Sequence, residues 1–249
     1  MIKLVLIRHG QTTYNRDSRF TGWTDVPLTK RGINEAHNAG KLLKKEGFTF
    51  DIAFTSVLDR AVNTTTIIIK EIGLSNIKII KDWHLNERHY GALQGLNKEE
   101  MAKKFGDKQV LKWRRSYDVR PPALDKSDKR WSGNYAKYKG FNKKNLPLTE
   151  SLKDTIERVV PFWNKEIVPY LKKGKKVLVS ASGNSLRGLV KYIDNISDDE
   201  ILKFTIPYAV PIVYDLNDDL KPLKRYFLGN PKEIQKIIDE IKGQGKMKK

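Results

Sequence analysis

Apolar residues run through Lys3–Ile7 and stop at Arg8, the mark of a short, largely buried strand that ends in the polar run Arg8-His9-Gly10-Gln11-Thr12. From Thr29 to Gly47 the spacing changes to helical. Thr29 is a suitable N-cap, Ile33, Ala36, Ala39, Leu42 and Leu43 share a face, and Gly47 is the stop. Asp51–Ser56 is a second predicted strand, Leu58–Ile72 a helix and Ile77–Trp83 a third strand. Residues 97–150 lose this regularity and predict an insertion with short helices around Lys98–Phe105 and Val110–Tyr117. Leu152, Thr155, Val159, Phe162, Trp163, Ile167 and Leu171 mark one long amphipathic helix. Lys175–Ala181 then predicts a strand, ending in Ser182-Gly-Asn-Ser185 before a helix over Leu186–Ile193. Val210–Leu216 and Pro222–Leu228 flank Asn217-Asp-Asp-Leu220 as an edge hairpin, and a basic tail from about residue 238 is expected to fray. The order predicts an α/β fold: a mostly parallel sheet with helices on both faces, one edge hairpin strand and a helical insertion. A single domain over 1–249 is expected, because no Pro/Gly/Ser-rich linker divides the chain.

Composition narrows the chemistry. No run approaches the ~20 apolar residues of a membrane span, and Arg8 and His9 interrupt the apolar opening too early for a signal peptide. A soluble, cytoplasmic product is expected. The absence of cysteine excludes disulfides, thiolate metal sites and cysteine nucleophiles. No Asp/His/Glu grouping has metal-ligand spacing, so no metal is expected. Lys and Arg total 48 against 29 acids, a net charge of +19, which favours anionic partners. Residues 97–150 alone carry 15 basic and 7 acidic side chains and are expected to form a basic face.

The candidate chemistry lies at strand ends, where ligands bind in open α/β sheets. Arg8-His9-Gly10 and Ser182-Gly183-Asn184 follow two predicted strands, Arg60 follows a third, and Glu87-Arg88-His89-Tyr90-Gly91 follows a fourth. A neutral imidazole beside guanidinium groups suits attack on phosphorus, with the cations offsetting charge on the phosphoryl oxygens. Each element alone is weak; their shared placement is what carries the reading. His37 falls on the polar side of its helix and is expected to be solvated, whereas His89 is expected to hold its loop.

Leu6-Ile-Arg-His-Gly10, Asn15, Phe20-Thr-Gly-Trp-Thr-Asp25, Leu85 to Lys98, Trp113-Arg-Arg-Ser-Tyr-Asp118 and Gly183-Asn-Ser-Leu-Arg187 resemble, in order, the cofactor-dependent phosphoglycerate mutases of the histidine phosphatase superfamily. The resemblance implies that His9 is the nucleophile carrying a phosphohistidine and Glu87 the general acid/base. It implies that Arg8, Asn15, Arg60, Thr21 and Gly22 hold the phosphate. Tyr90, Lys98, Arg114 and Arg115 would hold the rest of a glycerate ligand, and Gly183 and Asn184 would close the pocket. The implied activity interconverts 3- and 2-phosphoglycerate in glycolysis, primed by 2,3-bisphosphoglycerate and needing no metal, in a homodimer or homotetramer. A bisphosphoglycerate carries roughly 4 to 5 negative charges, and Arg8, Arg60, Lys98, Arg114 and Arg115 are five cations to meet them.

Four positions depart from that pattern. Ser182 stands where the family has its second catalytic histidine, His84 where it has arginine, and Tyr208-Ala209 where it has Thr-Gly, a change expected to narrow the pocket. Losing one donor to a transferring group costs ~10²- to 10³-fold in rate, so the alternative reading is a phosphate-ester-binding protein or slow phosphatase. A third reading, nucleic-acid binding, has the charge in its favour and no binding motif.

Overall fold

The computed structural model describes residues 1–244. Six strands form one mixed sheet: β1 (Ile2–Arg8), β2 (Ile52–Thr55), β3 (Lys78–Lys81), β4 (Val177–Ala181), β5 (Pro211–Leu216) and β6 (Pro222–Phe227). Their spatial order is β3-β2-β4-β1-β5-β6. The first four of that order run parallel, β5 is antiparallel to β1, and β6 is antiparallel to β5. This is the predicted α/β class, with the hairpin at one edge.

Alternation along β1 explains why helices cover both faces. Val5 and Ile7 pack with Ala39 and Leu43 of α2 (Lys30–Lys45) and Ile68 of α3 (Asp59–Ile72), after the single turn α1 (Thr13–Arg16). Leu4 and Leu6 point to the opposite core, with Val159 of α6 (Leu152–Phe162) and Leu186 and Leu189 of α8 (Gly183–Asp194). The continuation of α6 departs from the single helix predicted over 152–171: a π turn at Trp163–Ile167 separates it from α7 (Val168–Lys172). Pro169 has no N–H to return to the Lys165 carbonyl and its ring crowds that carbonyl, so the ladder slips by one residue.

Two other departures bear on the site. The helix expected from Leu186 begins three residues earlier, since α8 starts at Gly183 with Ser182 as its N-cap. The fraying expected from about 238 gives way to α10 (Pro231–Gly243), in which Ile241 is buried; residues 245–249 lie outside the described residues. In the insertion, α4 (Lys98–Phe105) and α5 (Asp107–Arg115) form close to their predicted bounds, while 132–145 holds only isolated 3-10 turns. Its charge is not all on an outer face: Lys98 is buried and Arg114 and Arg115 are half-buried. The last short helix is α9 (Asp198–Lys203). No described helix is long and apolar enough to cross a membrane.

Candidate active site

The register of β1 on β4 sets Arg8 opposite Ala181, so the residues that follow the two strands meet. His9 donates its backbone N–H to the Ala181 carbonyl at 3.0 Å. Gly10 is required beside it, since a Cβ there would lie 2.2 Å from the Gly32 carbonyl oxygen. The imidazole is buried, and its Nδ1–H donates to the Gly10 carbonyl at 2.8 Å. That tautomer leaves the lone pair on Nε2, which accepts from Arg60 Nε at 3.2 Å. Burial, with the charges of Arg60 and Arg8, holds the imidazole pKa well below its ordinary value. His9 is therefore neutral and nucleophilic at pH 7.

Arg60, in the first turn of α3, is fully buried, which lowers its pKa. Its guanidinium donates to the carbonyls of Thr24 at 3.0 Å and Gly22 at 2.7 Å. Gly22 has a positive φ of 54°, and a Cβ there would collide with the Gln94 side chain. Glu87 is held by the start of α8: its Oε1 accepts from Asn184 Nδ2 at 2.7 Å, from Asn184 N–H at 3.2 Å and from Arg88 N–H at 2.8 Å.

A cavity of about 90 Å³ opens beside these groups. Of the predicted residues, Arg8, Asn15, Thr21, Glu87, Tyr90, Lys98, Arg114, Arg115, Gly183 and Asn184 line it. His9, Arg60, Gly22 and Ser182 lie outside that lining. Arg8, Arg19, Lys98, Arg114, Arg115 and Arg187 are six cations on its walls, and Glu87 is the one carboxylate among the lining residues. Burial and mutual repulsion act together on these cations. Lys98 is pushed well below its usual pKa, Arg114 down to about 10 and Arg187 down to about 9, with Arg115 lowered too. So much uncompensated positive charge attracts anions.

Ser182 is fully buried, and its hydroxyl has no hydrogen-bond partner among the described residues. The Arg8 guanidinium lies against the next residue: a Cβ on Gly183 would sit 3.4 Å from Arg8 Cζ. Tyr208 does not line the cavity, contrary to the narrowing expected of it. Its ring lies 4.2 Å beneath the Arg8 guanidinium and serves as a platform. His84 is also away from the cavity, paired with Asp82 at 2.6 Å and stacked on Trp83. His37 is paired with Glu71 at 2.6 Å rather than simply solvated. His89 accepts from Gly91 N–H at 3.0 Å inside its own loop, and burial presses its pKa down to about 3.

Sequence reasoning missed four contributors, of which Arg19 lies on the cavity wall. Arg187 reaches the cavity from α8, donating to Asn184 Oδ1 at 3.0 Å, and its charge amid Leu186, Leu189 and Val190 was an available signal. Arg88 is fully buried, with Nε and Nη1 unpaired among the described residues. Gln244 comes from the far end of the chain: its Oε1 accepts from Lys98 Nζ at 3.0 Å and its backbone carbonyl from Arg114. Nothing in the local pattern marks it.

The family described as histidine phosphatase superfamily (branch 1) matches residues 4–133. Among solved structures, a mycobacterial glucosyl-3-phosphoglycerate phosphatase complexed with VO3 is 21% identical, covering 91% of this chain and 97% of that chain at a TM-score of 0.69. An alpha-ribazole phosphatase from Shigella flexneri is 20% identical, over 92% of this chain and 96% of that chain, at 0.68. Bacillus stearothermophilus YhfR is 22% identical, over 86% and 91%, at 0.65. These likenesses are of fold.

Proposed function

The chain belongs to the histidine phosphatase superfamily (branch 1), and on that premise we propose that it is a slow phosphatase of small, multiply anionic phosphomonoesters working through a phosphohistidine at His9. The observation that carries the reading is the neutral His9 imidazole, its Nε2 lone pair held against Arg60 at the edge of a cation-lined cavity. In the proposed reaction Nε2 bonds to phosphorus as the ester P–O bond breaks. The electron pair leaves on the ester oxygen, which takes a proton from the Glu87 carboxyl. Water then attacks the phosphohistidine, gives its proton back to Glu87 and releases inorganic phosphate. Arg8 and Arg60 offset the charge in flight. Slowness follows from Ser182, a neutral hydroxyl where the resembling family supplies an imidazole. Two of the similar folds bear the names of phosphatases, which supports hydrolysis over isomerisation.

A second reading, the 2,3-bisphosphoglycerate-primed mutase, is favoured by one observation: six cavity cations against one carboxylate suit a ligand bearing two phosphates and a carboxylate. One experiment tests both. Incubation with 3-phosphoglycerate is expected to release phosphate and to leave an acid-labile phosphate on His9. His9→Asn is expected to lower release by at least ~10³-fold. Label elsewhere, or an active His9→Asn variant, would overturn the phosphohistidine reading. Adding 2,3-bisphosphoglycerate and finding 2-phosphoglycerate formed faster than phosphate would install the mutase.

A further inference from the structure

A second, larger cleft of about 850 Å³ lies against the cation-lined cavity, between α5, α9 and the end of α10. Its floor is apolar, with Leu111 more than half exposed and Leu202 opposite. Lys108, Lys112, Lys203 and Lys242 rim it against a single acid, Asp199, and none of the four lysines is ion-paired among the described residues. The two hollows share a wall. Arg115 and Thr205 line both. Thr205 is buried with an unpartnered hydroxyl, and the Arg115 guanidinium has no hydrogen bond among the described residues. Both have donors to spare at the junction.

We infer that this cleft is the leaving-group subsite, and that the leaving group is an apolar body, such as an aryl ring, carrying its own carboxylate or phosphate. The inference rests on the phosphatase reading for the chemistry at His9. An exposed leucine floor rewards apolar contact, and the surrounding ammonium groups reward a second negative charge. A purely apolar ligand would leave the rim unused, and a glycerate would leave the floor unused. Arg115 and Thr205, which line both hollows with donors to spare, favour one small anionic molecule reaching from one to the other over a macromolecular partner seated on the outer one.

Calorimetry with non-hydrolysable phosphonates separates this subsite from the chemistry. The full chain is expected to bind phenylphosphonate about tenfold more tightly than methylphosphonate, and 4-phosphonobenzoate several-fold more tightly again. Leu111→Asn is expected to erase most of the phenyl gain while leaving methylphosphonate within about twofold, and Lys112→Glu to erase the carboxylate gain. Equal wild-type affinities for phenyl- and methylphosphonate, or a Leu111→Asn loss shared equally by both, would overturn the inference. So would unchanged affinities accompanied by a dimer becoming a monomer, which would assign the cleft to a second copy. These affinities do not need turnover, so failure of phosphate labelling at His9 with the phosphonate ranking intact would remove the phosphatase reading alone.

Discussion

The inner end of the site and its outer end are built in opposite ways. At the inner end, His9 follows β1, Arg60 sits in the first turn of α3 and Glu87 lies in the loop after the 3-10 turn Trp83–Leu85, and their side chains are already hydrogen-bonded: Arg60 to two carbonyls and His9, Glu87 to α8. The outer end collects Lys98, Arg114 and Arg115 from the insertion and Arg187 from α8, with little to neutralise them. The first is pre-organised and nearly satisfied; the second is positive charge with a single carboxylate, Glu87, among the lining residues. On the proposed reading, geometry for phosphoryl transfer comes from β1, α3 and the loop held by α8, whereas affinity comes from the elements laid over them.

The sharpest way to test that division is to change the inner end alone. Ser182→His puts an imidazole at the start of α8, next to the residue against which Arg8 rests. It can donate to the phosphoryl oxygens as their charge develops, a benefit greater in the transition state than in the bound ester. Turnover is expected to rise by ~10²-fold with KM nearly constant, while Ser182→Ala changes little. Steady-state kinetics on one ester decides it. A change in KM instead of kcat would show that the two ends are not separable.

Acid should strike the inner side first. His9 and His89 both have folded pKa values depressed by burial, His89 to about 3. Below the ordinary histidine pKa near 6.5 the unfolded chain takes up protons that the folded chain refuses, so stability falls as pH drops from about 6.5 toward 3. Urea denaturation at pH 7 and pH 5 is expected to show the folded population disfavoured by about tenfold or more per buried histidine. His89→Gln should flatten the profile by one histidine's share. An unchanged profile would mean that His89 is not held neutral in its loop.

What was legible in the sequence follows the same division. Leu4 to Ile7, followed at once by Arg8-His9-Gly10, announces a buried strand with chemistry at its end, because hydrophobic periodicity and a polar break are local signals. The start of α8 at Gly183 rather than Leu186 is hidden, since Gly-Asn-Ser shows no helical periodicity until Ser182 is seen to cap it. The π turn at Trp163–Ile167 was hidden because period alone does not register one missing N–H at Pro169. Arg88 and Arg187 were passed over as motif neighbours, although charge on a buried face costs too much to be idle. Tyr208 was expected to obstruct, and its role under Arg8 depends on β5 bringing its loop back beside β1. Contacts between residues 98 and 244 have no local signature at all.

Gln244 offers the smallest and most discriminating test of the outer end. Its side-chain oxygen occupies Lys98 Nζ, while its amide nitrogen donates to the Asn15 carbonyl at 3.2 Å and to Tyr208 Oη at 3.0 Å. Behind it, Arg31 grips Glu240 through two hydrogen bonds of 3.0 and 2.8 Å and so holds α10 in place. An arriving anion must take Lys98 from Gln244, giving up a hydrogen bond whose net worth is about 0.5–1.5 kcal/mol. Gln244→Ala removes that competitor together with the donor to Asn15 and Tyr208, and leaves the hydrogen bonds of His9, Arg60 and Glu87 in place. Methylphosphonate is therefore expected to bind about threefold more tightly, with turnover of the bound ester unchanged. Arg31→Ala, which loosens α10 from outside the cavity, should shift affinity in the same direction by less. Weaker binding in Gln244→Ala would reverse the assignment: the glutamine would then be a ligand for the anion rather than its rival, and the outer end would be as pre-organised as the inner one.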